Sequence, residues 1–385
     1  MREDYRVNPS GRRIKVVQII ARMNVGGPAV IVADLMRGLD GNQYDQTLIT
    51  GYCDENEADY LETVATDISA TRVAGLGRSV SPIADLRAFL TLISTLRAIN
   101  PDVIHTHTAK AGVLGRLAAI LSGSKARRIH TFHGHLLHGY FAGWKVKLVI
   151  AIEKFFAARS DFLIAVGNQV KEDLLAAGIG VRSQYEVIFP GLPAPKVAEK
   201  AELRRQMHLD PSLIYITFVG RLTHIKRPDR LLDVAALLTD TSAHFLIAGE
   251  GELFAESKER AVASNLPITF LGWRKDIDEI FAASDIAILT SDNEGIPLTL
   301  IQAAQAGLPI VSTDVGSIKD IVVNGQTGIL TSTQPEELAT AINTLLASAE
   351  KRANLGAAGR SRAHLLFSLD KSLADHAKLY NFSKQ

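Results

Sequence analysis

The chain has 385 residues, 47% of them hydrophobic, with a formal net charge of +1 and one cysteine, Cys53. That length predicts two domains of ordinary size, each with enough apolar material for a core. The balanced charge argues against bulk nucleic-acid binding, and a lone cysteine rules out an intramolecular disulfide and fits a reducing, cytoplasmic compartment. No Cys/His spacing resembles a zinc site. Arg12, Arg13 and Lys15 precede Val16-Val17-Gln18-Ile19-Ile20 in the order of a signal peptide, but Arg22 interrupts a short apolar run, so this segment is read as a first strand. No uninterrupted apolar run reaches about 18 residues, and no membrane-spanning helix is expected.

Short β-branched runs alternate with longer helical stripes, the pattern of a parallel α/β sheet. Strand one is Ile14 to Ile20, followed by the loop Asn24-Val25-Gly26-Gly27-Pro28 and a helix from about Ala29 to Leu39. Gln46 to Thr50, Val103 to His107, Arg128 to His133, Asp161 to Val166 and Glu186 to Phe189 read as further strands, with helices at Ala84 to Ile99, Ala111 to Leu121 and Lys145 to Ala158, and a short one opening at Asn168 or Gln169. Pro190-Gly191-Leu192-Pro193-Ala194-Pro195 is the linker candidate. The polar helix Glu199 to Met207 opens a second series, with strands at Tyr215 to Val219, His244 to Ala248, Ile268 to Leu271, Ile286 to Leu289, Ile310 to Ser312 and Gly328 to Leu330. The domains are therefore expected at 1–190 and 191–367, with an amphipathic helix at about 368–385 packing back on the first. Two such domains in series create a cleft, and open α/β sheets bind ligands beyond the carboxyl ends of their strands.

The informative loops follow strands. Gly26-Gly27 allows close backbone approach of a ligand at a helix start, or makes a tight turn. Arg221 and Lys226, in Gly220-Arg221-Leu222-Thr223-His224-Ile225-Lys226, combine forked donors with a point charge, a pairing suited to a diphosphate; a solvated basic loop is the plainer reading. In Gly272-Trp273-Arg274-Lys275-Asp276, Trp273 or Arg274 can cover a flat base, or Asp276 simply opens a helix. Asn293-Glu294-Gly295-Ile296-Pro297-Leu298 enters a helix stopped by Gly307, with a carboxylate and open N–H groups at its start and Gln302 one turn beyond Leu298, a pocket for a group bearing phosphate and hydroxyls. His133 closes a strand before Gly134, a place for a catalytic or orienting group, and His135 and His138 follow as core or acceptor-side residues. His105 and His107 alternate around Thr106 and point the same way. Residues 125–159 carry seven Lys or Arg against one acid, Glu153, interleaved with apolar residues. That segment reads either as a helix docked on its own sheet or as a peripheral contact with the inner membrane surface.

Taken in order, these loops resemble those of the retaining nucleotide-sugar glycosyltransferases of the GT-B fold, often called family 4. The resemblance covers nearly the whole chain and rests on Gly26-Gly27, His133-Gly134, Gly220-Arg221-Leu222 with Lys226, and Asn293-Glu294-Gly295 leading to Gly307-Leu308-Pro309. The family's Glu-x7-Glu hallmark is met at Glu294 but has Gln302 at its second position. The resemblance implies two Rossmann-like, doubly wound parallel-sheet domains facing a cleft, with the donor held mainly by the second. It implies that Arg221 and Lys226 grip the diphosphate. Glu294 and the backbone of Gly295, Ile296, Pro297 and Leu298 then contact the sugar and distal phosphate, Gln302 meets the ribose, and His133 orients the transferred sugar. Gly26 and Gly27 face the phosphates and acceptor, and Lys110 lines the acceptor side. Gln302→Glu is then expected to keep or improve donor affinity. The nucleotide sugar, with UDP favoured by family frequency, is a co-substrate; no tightly bound cofactor and no metal are required. The acceptor is a glycan, a lipid-linked oligosaccharide or a small molecule, in cell-envelope or polysaccharide synthesis. An epimerase or hydrolase on the same fold, or a degenerate binding subunit, are the alternatives.

Overall fold

Runs of Val, Ile and Leu bounded by crossover helices pair in parallel and are buried on both faces. Every pairing between strands of the two sheets here is parallel. The computed structural model describes residues 12–55, 57–134 and 144–381. The chain divides into two compact units, Met1–Gly191 with Leu369–Gln385, and Leu192–Ser368.

Unit 1 runs β1 (Ile14–Ile20), α1 (Gly27–Gly38), β2 (Tyr44–Thr50), α2 (Tyr60–Thr63), β3 (Ala70–Arg72), α3 (Pro82–Ile99), β4 (Val103–His107), α4 (Ala109–Leu121), β5 (Arg127–Phe132), α5 (Trp144–Ala157), β6 (Phe162–Ala165), α6 (Asn168–Ala176) and β7 (Tyr185–Val187). Its sheet order is β3-β2-β1-β4-β5-β6-β7, so the winding reverses between β1 and β4. Helix α1 begins two residues before the sequence reading has it, because Gly27 and Pro28 both fit a first turn. Helix α3 opens on Pro82 and stops at Asn100, which adopts the left-handed conformation before Pro101. The sequence reading omits α2 and β3, which are too short to show a period.

Unit 2 runs α7 (Lys200–Gln206), β8 (Ile214–Val219), α8 (Pro228–Leu237), β9 (Ala243–Ala248), α9 (Phe254–Ala263), β10 (Ile268–Gly272), α10 (Ile277–Ala283), β11 (Ile286–Leu289), α11 (Leu298–Gln305), β12 (Ile310–Thr313), α12 (Ile318–Ile321), β13 (Gly328–Thr331), α13 (Pro335–Leu346) and α14 (Ala349–Leu366). Its order, β10-β9-β8-β11-β12-β13, reverses between β8 and β11. Gly307, at φ 78°, ends α11, and Arg360 of α14 donates to the Ala306 carbonyl at 2.7 Å.

The chain then returns to unit 1 as α15 (Leu369–Asn381). Ala377, Leu379 and Tyr380 of α15 join a core cluster with Ile14, Val16, Val103 and Ile129. Beneath them lies a buried polar layer. His105 and His107 sit on the same side of β4 with ring centroids 4.1 Å apart. Tyr380 Oη lies 2.6 Å from His105 Nδ1 and accepts from Gln18 Nε2 at 3.0 Å. Burial holds His105, His107 and His130 neutral, well below the ordinary 6.5, and takes His376 down to about 4. Arg116 of α4 and Glu153 of α5 form an ion pair with both side chains 2% exposed, and the guanidinium stacks 4.8 Å from the Phe156 ring centroid.

Depressed histidine pKa values mean that the unfolded chain binds more protons than the folded one below pH 6.5, so stability is full above that pH and is lost as pH falls. The melting temperature should drop steeply between pH 7 and pH 5, each pH unit removing up to about 1.4 kcal/mol per buried histidine; a flat profile would contradict neutral burial. Glu153→Leu strands the Arg116 guanidinium and should lower stability by about 3–5 kcal/mol in urea unfolding, with Arg116→Met in the same chain recovering most of it.

Candidate functional site

In doubly wound sheets the crevice opens where the strand order reverses, beyond the carboxyl ends of the two central strands. In unit 2 those are β8 and β11, and the loops leaving them carry Arg221, Lys226 and Glu294. Lys226 Nζ donates to Glu294 Oε1, and Ser291 Oγ donates to the same oxygen at 2.5 Å. The Lys226 and Glu294 side chains retain 20% and 10% exposure, so solvent still reaches the pair. Backbone bonds fix the loops beneath it: Thr290 Oγ1 donates to the Lys226 carbonyl at 2.9 Å, and Asp292 N–H to the Ile225 carbonyl at 2.9 Å. Arg221 is exposed and, among the described residues, forms no ion pair.

Glycines that the sequence reading passed over hold this platform. A Cβ on Gly249 would lie 2.0 Å from the Gly220 carbonyl oxygen, and one on Gly251 would lie 2.4 Å from that of Leu222. Gly316, at φ 56°, packs so closely on Glu294 that a Cβ would come within 1.9 Å of its carbonyl oxygen. The only sequence signal was their position after strands.

Pro297 occupies the N-cap of α11, one residue outside the helix, and its ring leaves no donor there. Among the described residues, the N–H groups of Gly295, Ile296, Leu298 and Thr299 have no protein acceptor, and the α11 dipole points its positive end the same way. Gln302 has a partner that the sequence did not reveal: its Nε2 donates to Asp278 Oδ1 of α10 at 2.9 Å. A carboxylate thus stands beside position 302, supplied by another helix. Arg274 is engaged by Asp276, with Nε 2.7 Å from Oδ1, and this bonding keeps the Asp276 carboxyl below its ordinary range. Trp273 stays 43% exposed with the Lys275 ammonium 5.5 Å from its ring centroid, so of the two residues read as able to cover a base it is the one left open.

In unit 1, the reversal lies between β1 and β4. Gly26 caps α1 with an extended backbone, and a Cβ there would meet only the Asn24 carbonyl, at 3.8 Å. Nothing in the protein demands glycine at that position, which leaves the space above the helix start open. Thr108, joining β4 to α4, is held at φ 64°, a region that favours glycine, and its Oγ1 accepts the Ala21 N–H at 3.3 Å. His133 follows β5, partly exposed, with Nε2 3.0 Å from His107 Nδ1 and with Nδ1 covered and, among the described residues, without a hydrogen-bond partner. Burial takes its pKa down to about 3, so it is a neutral imidazole at physiological pH. Lys110 is tied to Asp85 at 2.6 Å and to the Ser79 carbonyl at 2.5 Å. His135 and His138 lie outside the described residues. Helix α5 docks on α4 through Glu153 and also presents Leu148 and Phe155, 50% and 45% exposed. Among the described residues no helix is long and apolar enough to cross a membrane.

Residues 199–362 match the model for the glycosyl transferases group 1 family, and residues 26–191 that for the glycosyl transferase 4-like domain. The UDP-Gal:alpha-D-GlcNAc-diphosphoundecaprenol alpha-1,3-galactosyltransferase of Escherichia coli is 30% identical, over 83% of this chain and 84% of that protein. The putative glycosyltransferase EpsF of Bacillus subtilis is 25% identical over 98% of this chain and 99% of its own. Among solved structures, Anabaena HepE in complex with UDP and glucose aligns with a TM-score of 0.81 at 20% identity, covering 95% of this chain and 99% of that one. The sucrose-phosphate synthase of Thermosynechococcus elongatus aligns with a TM-score of 0.80 at 21% identity, covering 96% and 98%. With both halves of the chain matched and a relative of that identity spanning most of both lengths, this protein belongs to the glycosyl transferases group 1 family, has the GT-B fold and is a glycosyltransferase.

Proposed function

We propose that this protein is a retaining transferase that takes a sugar from a nucleoside diphosphate, UDP in first place, and delivers it to a hydroxyl of a glycan or lipid-linked acceptor in envelope or polysaccharide synthesis. The observation that carries the reading is the cationic rim of unit 2: an exposed Arg221 and the Lys226 ammonium stand at the reversal of the sheet, where α11 offers unpaired N–H groups. That combination suits a diphosphate. The names of the Escherichia coli relative and of the HepE complex, one a UDP-galactose enzyme and the other bound to UDP and glucose, favour UDP.

In this reading the bond from the anomeric carbon to the diphosphate breaks as negative charge builds on the leaving group. Arg221 and Lys226 balance that charge, an electrostatic contribution made in place and without reorganisation. The acceptor hydroxyl bonds to the same face of the carbon, and its proton passes to an oxygen of the leaving phosphate. Lys226 exchanges part of its contact with Glu294 for phosphate, which frees Glu294 to accept from sugar hydroxyls. Gln302 and Asp278 act together at the ribose, Gln302 holding the Asp278 carboxylate in place of the family's second glutamate.

Release of UDP from UDP-sugars that depends on added acceptor tests the assignment; acceptor-independent change of the sugar would indicate an epimerase or hydrolase, and donor binding without turnover a binding subunit. Arg221→Ala and Lys226→Ala should each cut turnover at least about tenfold, the scale of one charge-assisted contact; near-native rates in both would remove this donor site. For Gln302→Glu the Asp278 contact leads us to expect the reverse of the outcome read from sequence, because the new carboxylate would face Asp278. Affinity for UDP by calorimetry should fall about tenfold, the loss of one hydrogen bond to a charged group, and Asp278→Asn in the same chain should restore it. Equal affinities in the single and double variants would refute the pairing.

A further inference from the structure

A continuous run of side-chain hydrogen bonds lies inside unit 1. Thr131 Oγ1 meets His105 Nε2 at 2.7 Å, and His105 Nδ1 meets Tyr380 Oη at 2.6 Å. Gln18 Nε2 reaches Tyr380 Oη at 3.0 Å, Gln18 Oε1 lies 2.9 Å from His107 Nε2, and His107 Nδ1 lies 3.0 Å from His133 Nε2. Hydroxyls and neutral imidazoles can pass a hydrogen bond in either direction. An amide cannot, since its oxygen only accepts and its nitrogen only donates. Gln18 therefore orders the whole run.

With Gln18 Oε1 toward β4, His107 Nε2 must donate to it, so His107 Nδ1 carries no proton. His133 Nε2 must then be the donor between the two rings, and His133 Nδ1 is left as a bare lone pair. The same order runs the other way: Gln18 donates to Tyr380, Tyr380 donates to His105 Nδ1, and His105 Nε2 donates to Thr131. The distances around Tyr380 agree, since 3.0 Å suits N–H to oxygen and 2.6 Å suits a hydroxyl donor. Reversing the amide would place a proton on His133 Nδ1, a covered atom with no partner among the described residues, and an orphaned buried N–H is the rarer state.

We propose that Gln18 and Tyr380 are positioning residues which fix the tautomer of His133, so that its Nδ1 serves as a hydrogen-bond acceptor for a hydroxyl of the bound sugar or acceptor. The tautomer stands on the geometry alone; the hydroxyl as its ligand rests on the transferase reading. Specificity follows from this. A ligand group that can only accept, such as a carboxylate or carbonyl, would face a lone pair, whereas a hydroxyl would complete the run.

The test is long-range proton–nitrogen NMR on full-length protein labelled with 15N-histidine near pH 7.5, with His133 assigned by its loss in His133→Asn. The expected spectrum has His133 protonated at Nε2 and bare at Nδ1. A proton at Nδ1, or an averaged pair, overturns the proposal. Gln18→Met and Tyr380→Phe each cut the run while keeping bulk, and thermal unfolding identifies which variant stays folded. In a folded variant His133 should move toward averaged tautomers; unchanged His133 signals there overturn the role of the run, and should neither variant fold, the wild-type spectrum alone decides. UDP-glucose is then added as a probe. A shift confined to Nδ1 supports the hydroxyl contact, while an intact tautomer with no response to UDP-glucose tells against the ligand assignment and leaves the proton order standing.

Discussion

An ammonium and a carboxylate meet where the second sheet reverses its winding, and much of unit 2 is arranged to let them. Lys226 leaves β8 and Glu294 leaves β11, and the bond between them ties the two loops that border the crevice. A fully buried pair, such as Arg116 with Glu153, is costly to separate because each charge is left without water. The Lys226–Glu294 pair keeps part of its surface wet, so in the proposed function a phosphate takes over the lysine without leaving an uncompensated charge behind. The same interaction can therefore be structural in the empty protein and yield to a ligand.

That arrangement needs loops which do not yield. Gly249 and Gly251 let the segment after β9 lie directly on Gly220 and Leu222, and Gly316 lets the segment before α12 lie on Glu294. Backbone packed on backbone leaves no side chain to rotate away, so the charges are held by rigid neighbours. Charged groups held this way need little reordering when a ligand arrives.

The alternation of β-branched runs and helical stripes was enough to read two parallel α/β halves, and the positions after strands point to Arg221, Lys226, Glu294 and His133 as candidates. What sequence could not supply was pairing. Gln302 and Asp278 lie on neighbouring helices, Gly316 covers Glu294 from a later loop, and Tyr380 reaches His105 from the far end of the chain. Each depends on strand order, which periodicity does not encode. Arg274 differs in kind: its acid, Asp276, stands two residues away, a pairing that sequence alone puts within reach.

Helix α15 completes unit 1 only after the chain has built all of unit 2. At a synthesis rate of ~5–20 residues per second, the first half waits on the order of ten seconds or more for its last helix. During that interval Gln18 and His105 lack the hydroxyl that joins them, and Ile14, Val16 and Val103 lack Leu379 and Tyr380 as cover. The unit begun before unit 2 is thus finished after it, and its maturation is tied to the synthesis of unit 2.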